Sequence, residues 1–107
     1  MQTRRSKRKM VSLIAEHIRV GRMHPVFIGN ASEEGMHMVT LNRDTAAQFF
    51  PGNNVELKLR LSSRKRIPLC CEVRWVSAER PPYGISHGVG LEIIDPPPQY
   101  VSFVKSL

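Results

Sequence analysis

Two stretches in the second half of the chain alternate apolar and polar residues with a period of two. In residues 54–61, valine and leucine occupy every second position, and polar or charged residues stand between them. Residues 67–75 repeat the pattern after the polar segment Ser62-Ser63-Arg64-Lys65. Because successive side chains of a strand point to opposite faces, this alternation predicts two half-buried strands joined in a hairpin. Trp75 shares the apolar face of the second strand and is predicted to lie in the core.

Weaker alternation predicts four further strands. They cover about residues 10–20, 23–29, 35–40 and 86–94, and they are separated by Gly21, by a polar corner at residues 30–35 and by the Pro81-Pro82-Tyr83-Gly84 loop. Six short antiparallel strands most simply form a small closed barrel, because closure leaves no exposed sheet edge. The predicted fold is therefore mainly β, a six-stranded antiparallel β-barrel.

Two short segments are predicted to be helical. Residues 44–48 offer a capping aspartate followed by good helix formers, and Pro51-Gly52 ends this connecting helix before the next strand. Near the C-terminus, an apolar stripe with helical spacing follows three prolines and consists of Tyr100, Phe103, Val104 and Leu107. We expect this C-terminal helix to lie across the sheet or over an end of the barrel.

The length and composition bound the class of protein. A chain of 107 residues supports one domain with one modest core. It has no apolar run near the roughly twenty residues that span a bilayer, and no apolar run behind its basic start, so a cytoplasmic protein is expected. Adjacent Cys70 and Cys71 suit neither a disulfide framework nor a zinc site. The four scattered histidines and the absence of a nucleophile with its base favour a protein that is not an enzyme and holds no metal.

Charge is concentrated at the start of the chain. The chain has sixteen basic and nine acidic residues, a formal net charge of +7. Five of the basic residues fall at positions 4–9, which leaves eleven basic and nine acidic residues in the remainder. Residues 1–9 are therefore interpreted as a flexible basic arm and residues 10–107 as the domain. Such an arm indicates binding of phosphates, in a nucleotide, a nucleic acid or a lipid headgroup, although a solvated tail is the alternative interpretation.

Two spaced motifs indicate a ligand site more strongly together than either does alone. The arm carries Arg4-x-x-x-Arg8, and the polar corner carries Asn30-x-Ser32-x-x-Gly35. A guanidinium is planar and forked, so it bridges phosphate oxygens or the N7/O6 edge of guanine and also stacks on a base. Glycine at position 35 removes the side chain that would block close approach. Together these residues favour a planar, anionic ligand.

In order and spacing, this motif pair resembles the Arg-x-x-x-Arg and Asp/Asn-x-Ser-x-x-Gly motifs of the PilZ domain family. The family's later strands are similar to three further segments here: residues 55–59 after Pro51-Gly52, residues 71–76 and residues 88–93. The resemblance implies a six-stranded barrel that binds cyclic di-GMP and needs no other cofactor.

The same resemblance implies roles for the motif residues. Arg4 and Arg8 would wrap over the dinucleotide from the arm, Asn30 and Ser32 would meet a guanine edge, and Gly35 would let the backbone approach. Many family members have aspartate where this chain has Asn30, and an amide offers one oxygen in place of two charged acceptors.

Some features leave alternatives open. Arg5-x-x-x-Lys9 is a second possible register of the first motif, although we prefer the pair of arginines. Arg5 is therefore a possible additional contact. Trp75 would stack on a base only if it lies at the barrel mouth.

The predicted function is that of a cyclic di-GMP sensor whose arm becomes ordered when the ligand binds. Because the arm begins at residue 4, the response is expected to pass to a partner protein in trans, unless the chain is a fragment of something longer. One alternative is a degenerate adaptor that binds a protein and no nucleotide. A weaker one is single-stranded nucleic-acid binding through the arm and Arg64-Lys65-Arg66, since only 7% of the residues are aromatic.

Overall fold

The strands of the chain close into a barrel. The computed structural model describes residues 7–19, 21–40, 49–79 and 86–107, and within these it has six strands and one helix. They are β1 (Lys9–Arg19), β2 (Arg22–Ala31), β3 (Gly35–Thr40), β4 (Asn54–Arg60), β5 (Arg66–Glu79), β6 (Ser86–Ile94) and α1 (Pro98–Lys105). The barrel runs in the order β1-β2-β3-β6-β5-β4, and every neighbouring pair is antiparallel. The predicted mainly β fold with a C-terminal helix is confirmed.

Three of the predictions fall on other parts of the chain. The connecting helix predicted at residues 44–48 lies outside the described residues, as do residues 1–6 of the basic arm and the loop predicted at residues 81–84. Within the described part of the chain, no helix is long and apolar enough to cross a membrane.

Apolar residues of all six strands and of α1 form a single core. The alternating residues of the predicted hairpin point inward as expected: Val55, Leu57 and Leu59 from β4, and Ile67, Leu69, Cys71 and Val73 from β5. The helix adds Tyr100 and Val104 to the same cluster. Burial raises the pKa of the Cys71 thiol to about 12, so this thiol stays protonated at neutral pH, while Cys70 is exposed.

A β-bulge in β5 overturns the prediction for Trp75. The pairing of β5 with β6 shifts between Val73, which lies opposite Leu91, and Trp75, which lies opposite Gly90. The extra residue, Arg74, breaks the two-residue alternation, because a bulge places two residues opposite one. Trp75 is consequently 46% exposed and is not part of the core.

A buried carboxylate joins three strands of the barrel. Glu16 of β1 accepts hydrogen bonds from Arg60 of β4 and Arg66 of β5, each at 2.9 Å. The Arg60 hydrogen bond is the main cause that holds the pKa of Glu16 below its ordinary value of 4.5, and Arg66 adds to it against the opposing effect of burial. The carboxylate therefore favours the folded state only while it is ionised.

We expect Glu16 to make folding stability depend on pH. Because its pKa is lowered in the folded protein, its contribution is present above pH 4.5 and is lost as the pH falls through the folded value. The difference in unfolding free energy between wild type and Glu16→Gln should therefore shrink below pH 4.5. Urea denaturation across this range measures it, with the exposed Glu56→Gln as control. A difference that stays constant with pH would contradict the assignment.

Candidate functional site

The structure brings together one residue from each sequence motif. Arg8 immediately precedes β1, and Asn30 stands near the end of β2, opposite Met10 of β1. The Arg8 guanidinium donates a hydrogen bond from Nη1 to the Asn30 carboxamide oxygen at 2.8 Å. Arg4 and Arg5 lie outside the described residues, so their predicted contacts stay predictions.

The turn that follows Asn30 is closed by its own polar groups. The backbone N–H of Ser32 donates to the Gly35 carbonyl at 2.8 Å, and the Gly35 N–H donates to the Ser32 hydroxyl oxygen at 3.2 Å. Serine is common in such turns because its hydroxyl replaces a backbone hydrogen-bonding group. Ser32 is buried and engaged within the turn, and its predicted contact with a guanine edge stays a prediction.

Gly35 is required by a neighbouring strand. A Cβ placed on it would lie 2.6 Å from the Leu91 carbonyl oxygen of β6 and 3.6 Å from the Arg8 guanidinium. Among the described glycines, Gly21 and Gly52 have a positive φ and Gly35 does not. The small residue thus lets β3 and β6 pair closely beside Arg8. Its predicted approach to a ligand stays untested.

Trp75 and His37 form an aromatic platform on the outside of the barrel. Their rings stack with centroids 5.3 Å apart and planes inclined by 27°. Two glycines of β6 make room for them: a Cβ on Gly90 would overlap the Trp75 indole, and a Cβ on Gly88 would lie 2.9 Å from His37 Nε2. The platform exists because the bulge turns Trp75 outward and because β6 has no side chains beneath the rings.

A cavity lies between this platform and the motif residues. It measures about 310 Å³, and its lining consists of Arg8, Asn30, Met36, His37, Trp75 and Gly90. This volume falls at the lower end of the range of small-molecule sites. Two aromatic rings, a permanently charged guanidinium and a carboxamide face the same space. The arrangement suits a planar ligand that carries negative charge and hydrogen-bonding edges.

Sequence reasoning missed part of this lining. His37, Met36 and Gly90 were not predicted as site residues, and Trp75 was considered only as a possible contact. One sequence feature points to the platform: Gly88 and Gly90 alternate in a strand, and glycine in a strand marks close approach of other groups.

A second, smaller cavity of about 180 Å³ lies near the other end of β1. Its lining includes His17, Arg19, Asn53 and Glu56. His17 is buried and packs on Phe49 with ring centroids 4.9 Å apart, and burial lowers the pKa of its imidazole. Among the described residues, no group of three or more histidine, cysteine, aspartate or glutamate side chains is placed to hold a metal ion.

Comparison with known proteins agrees with the predicted fold and family. The family model described as PilZ domain matches residues 2–106, so the chain belongs to the PilZ domain family. No curated protein matches the chain.

Solved structures of low sequence identity share the fold. The PilZ domain of YcgR from Escherichia coli with c-di-GMP has a TM-score of 0.74 at 10% identity, over 97% of this chain and 87% of that one. The K. pneumonia MrkH–c-di-GMP complex has a TM-score of 0.78 at 13% identity and covers 99% of this chain. The Bacillus subtilis inhibitor of motility, MotI/DgrA, has a TM-score of 0.75 at 17% identity and also covers 99%. This chain spans about half the length of the latter two, 51% and 49%.

Proposed function

We propose that this PilZ domain is a non-enzymatic receptor for cyclic di-GMP. The observation that carries the proposal is the cavity in which Arg8, held by Asn30, faces the Trp75–His37 platform. The structures of YcgR and MrkH with c-di-GMP support this choice of ligand for the fold.

The residues of the cavity suit the chemistry of a guanine nucleotide. A guanine base is flat and stacks on an aromatic surface such as the Trp75 indole. The guanidinium of Arg8 has five N–H donors, and one of them bonds to Asn30 within the described part of the chain. The remaining donors are available for a phosphate or for the N7/O6 edge of guanine. Asn30 adds no charge of its own, so it orients the guanidinium without neutralising it.

Arg4 belongs to the same proposal as the second guanidinium of the first motif. In this proposal the arm becomes ordered over the bound dinucleotide, and a partner protein in a bacterial cytoplasm reads the ordered state. Ordering costs on the order of 1–2 kcal/mol per residue, which contacts with the ligand must exceed. The charge-assisted hydrogen bonds of two arginines, together with base stacking, are the terms that offset this cost.

Isothermal titration of the wild-type protein with cyclic di-GMP, cyclic di-AMP and GTP tests the proposal. We expect saturable binding of cyclic di-GMP and at least about tenfold weaker binding of the other two, because adenine lacks the guanine O6 acceptor and GTP lacks the second base. Equal affinity for all three nucleotides would indicate a general phosphate site. The absence of any binding would favour the alternative of an adaptor that recognises a protein and no nucleotide.

Nucleic-acid binding has less support from the structure. Arg66, one of the three basic residues near the β4–β5 turn, is paired with Glu16 through a hydrogen bond of 2.9 Å. The turn therefore offers fewer unpaired cations than its sequence indicates, which weakens the electrostatic footprint that such binding needs.

A further inference from the structure

The C-terminal helix supports the turn of the second motif. Near the start of α1, the Tyr100 hydroxyl donates a hydrogen bond of 2.6 Å to the Ser32 backbone carbonyl. The Tyr100 side chain is fully buried, and burial raises the pKa of its hydroxyl, which remains a donor at neutral pH. Because the Ser32 N–H and hydroxyl already bond to Gly35, every polar group of Ser32 is held inside the protein. The position of this turn therefore depends on α1.

The other end of α1 is bonded to Lys9, the residue that directly follows the first motif. Lys9 donates from Nζ to the carbonyl oxygens of Val104 at 2.9 Å and of Leu107 at 3.2 Å. Val104 lies in the last turn of α1, where carbonyls lack partners within the helix and a lysine interacts favourably with the helix dipole. Leu107 lies two residues beyond the end of α1. Lys9 directly follows Arg8 in the chain, so its anchoring to the helix restrains the backbone that carries the Arg8 guanidinium.

We propose that docking of α1 on the barrel is coupled to occupancy of the ligand site, with Tyr100 and Lys9 as its positioning residues. This inference rests on the proposed cyclic di-GMP binding. When α1 leaves the barrel, the Ser32 carbonyl and the Lys9 ammonium lose their partners there, while Met10 stays paired with Asn30. The turn after Asn30 and the backbone beside Arg8 are then less restrained. The ligand binds the docked state better, and by linkage it must stabilise that state by the same factor.

Two conservative variants test the coupling through affinity. Tyr100→Phe removes only the hydroxyl, and Lys9→Met removes the ammonium while keeping an aliphatic side chain. We expect cyclic di-GMP binding to weaken roughly fivefold to tenfold in Tyr100→Phe and roughly threefold in Lys9→Met, the scale of one or two hydrogen bonds. The exposed Lys105→Met, which makes the same charge change on α1, should bind within about twofold of wild type.

Hydrogen exchange separates coupling from simple destabilisation. A variant that is only less stable overall would keep its affinity wherever its unfolded fraction is negligible. Coupling predicts that saturating cyclic di-GMP slows exchange of the wild-type α1 amides several-fold, because the ligand favours the docked helix. The same addition should slow them much less in Tyr100→Phe. Should Tyr100→Phe fail to fold, Lys9→Met decides by the same two measurements.

The outcomes distinguish this inference from the proposed function. Wild-type protein that binds cyclic di-GMP while its α1 amides exchange at unchanged rates overturns the coupling alone. Unchanged affinity in both folded variants does the same. Wild-type protein that binds no cyclic di-GMP overturns the proposed function and the coupling with it.

Discussion

Arg8→Ala is expected to weaken cyclic di-GMP binding by about 1.5–3 kcal/mol, roughly tenfold to more than a hundredfold. Arg8 is the described residue that brings a permanent charge to the cavity, and Asn30 already orients its guanidinium through the 2.8 Å hydrogen bond. A preoriented group loses little further freedom when the ligand binds, so most of its interaction energy contributes to affinity. Isothermal titration of wild type and variant under the same salt conditions measures the loss.

Two companion variants make this prediction specific. Arg64→Ala removes the same side chain from the exposed β4–β5 turn and should leave affinity nearly unchanged. Arg8→Lys keeps the charge and loses the planar fork, so its affinity should fall between those of wild type and Arg8→Ala. If Arg64→Ala weakened binding more than Arg8→Ala, the ligand would lie at the turn, and nucleic acid would become the better interpretation. If neither mutation had an effect, Arg8 would not contact the ligand.

The strands of the barrel could be predicted from the sequence because each strand's pattern depends on residues close together in the chain. The alternation in β4 and β5 depends on residues two positions apart, and it survives in the structure as inward Val55, Leu57 and Ile67. Gly21 marked the turn between β1 and β2 for the same reason. Which strands pair, and in which register, depends on distant segments. Closure of the barrel was inferred only from the need to leave no exposed edge, and the order of its strands was not predicted.

The position of Trp75 could not be predicted from periodicity. One inserted residue exchanges the two faces of a strand. The alternation before Arg74 gives no sign that a bulge follows. The structure shows what accompanies the bulge. Glu72 and Glu92 lie directly opposite each other on β5 and β6, and the Arg74 guanidinium lies 3.5 Å and 3.2 Å from their carboxylates. A cation at the bulge offsets the repulsion between two facing carboxylates.

The stacking of His37 on Trp75 was not predicted, for a related reason. His37 and Trp75 are far apart in the chain, and they stack only because β3 and β5 both pair with β6 in a fixed register. The motif residues were easier to find, because Arg8 and Asn30 belong to short patterns that carry the family resemblance. Short motifs thus revealed one wall of the site, while strand register determines the other.

Trp75→Ala is expected to reduce cyclic di-GMP affinity by about 1–3 kcal/mol, the range found when an aromatic stacking partner of a base is replaced by alanine. Trp75 is the only tryptophan of the chain, so its fluorescence reports on the platform directly. In the wild type, we expect a saturable change in emission during a ligand titration, with the same midpoint as the calorimetric curve. Because the side chain is 46% exposed, its loss should change folding stability little.

Gly90→Ala tests the platform while keeping the tryptophan. An added methyl group would overlap the indole, and the surface ring can move away at small cost to the core, so the stacking surface should be lost while the protein stays folded. We expect an affinity loss close to that of Trp75→Ala and a weakened emission change. Gly29→Ala is the matched control, because the nearest group to its added methyl would be the Phe27 ring at 3.9 Å, an ordinary van der Waals contact. Wild-type affinity in both Trp75→Ala and Gly90→Ala would place the bases elsewhere and leave Arg8 and Asn30 as a phosphate site alone.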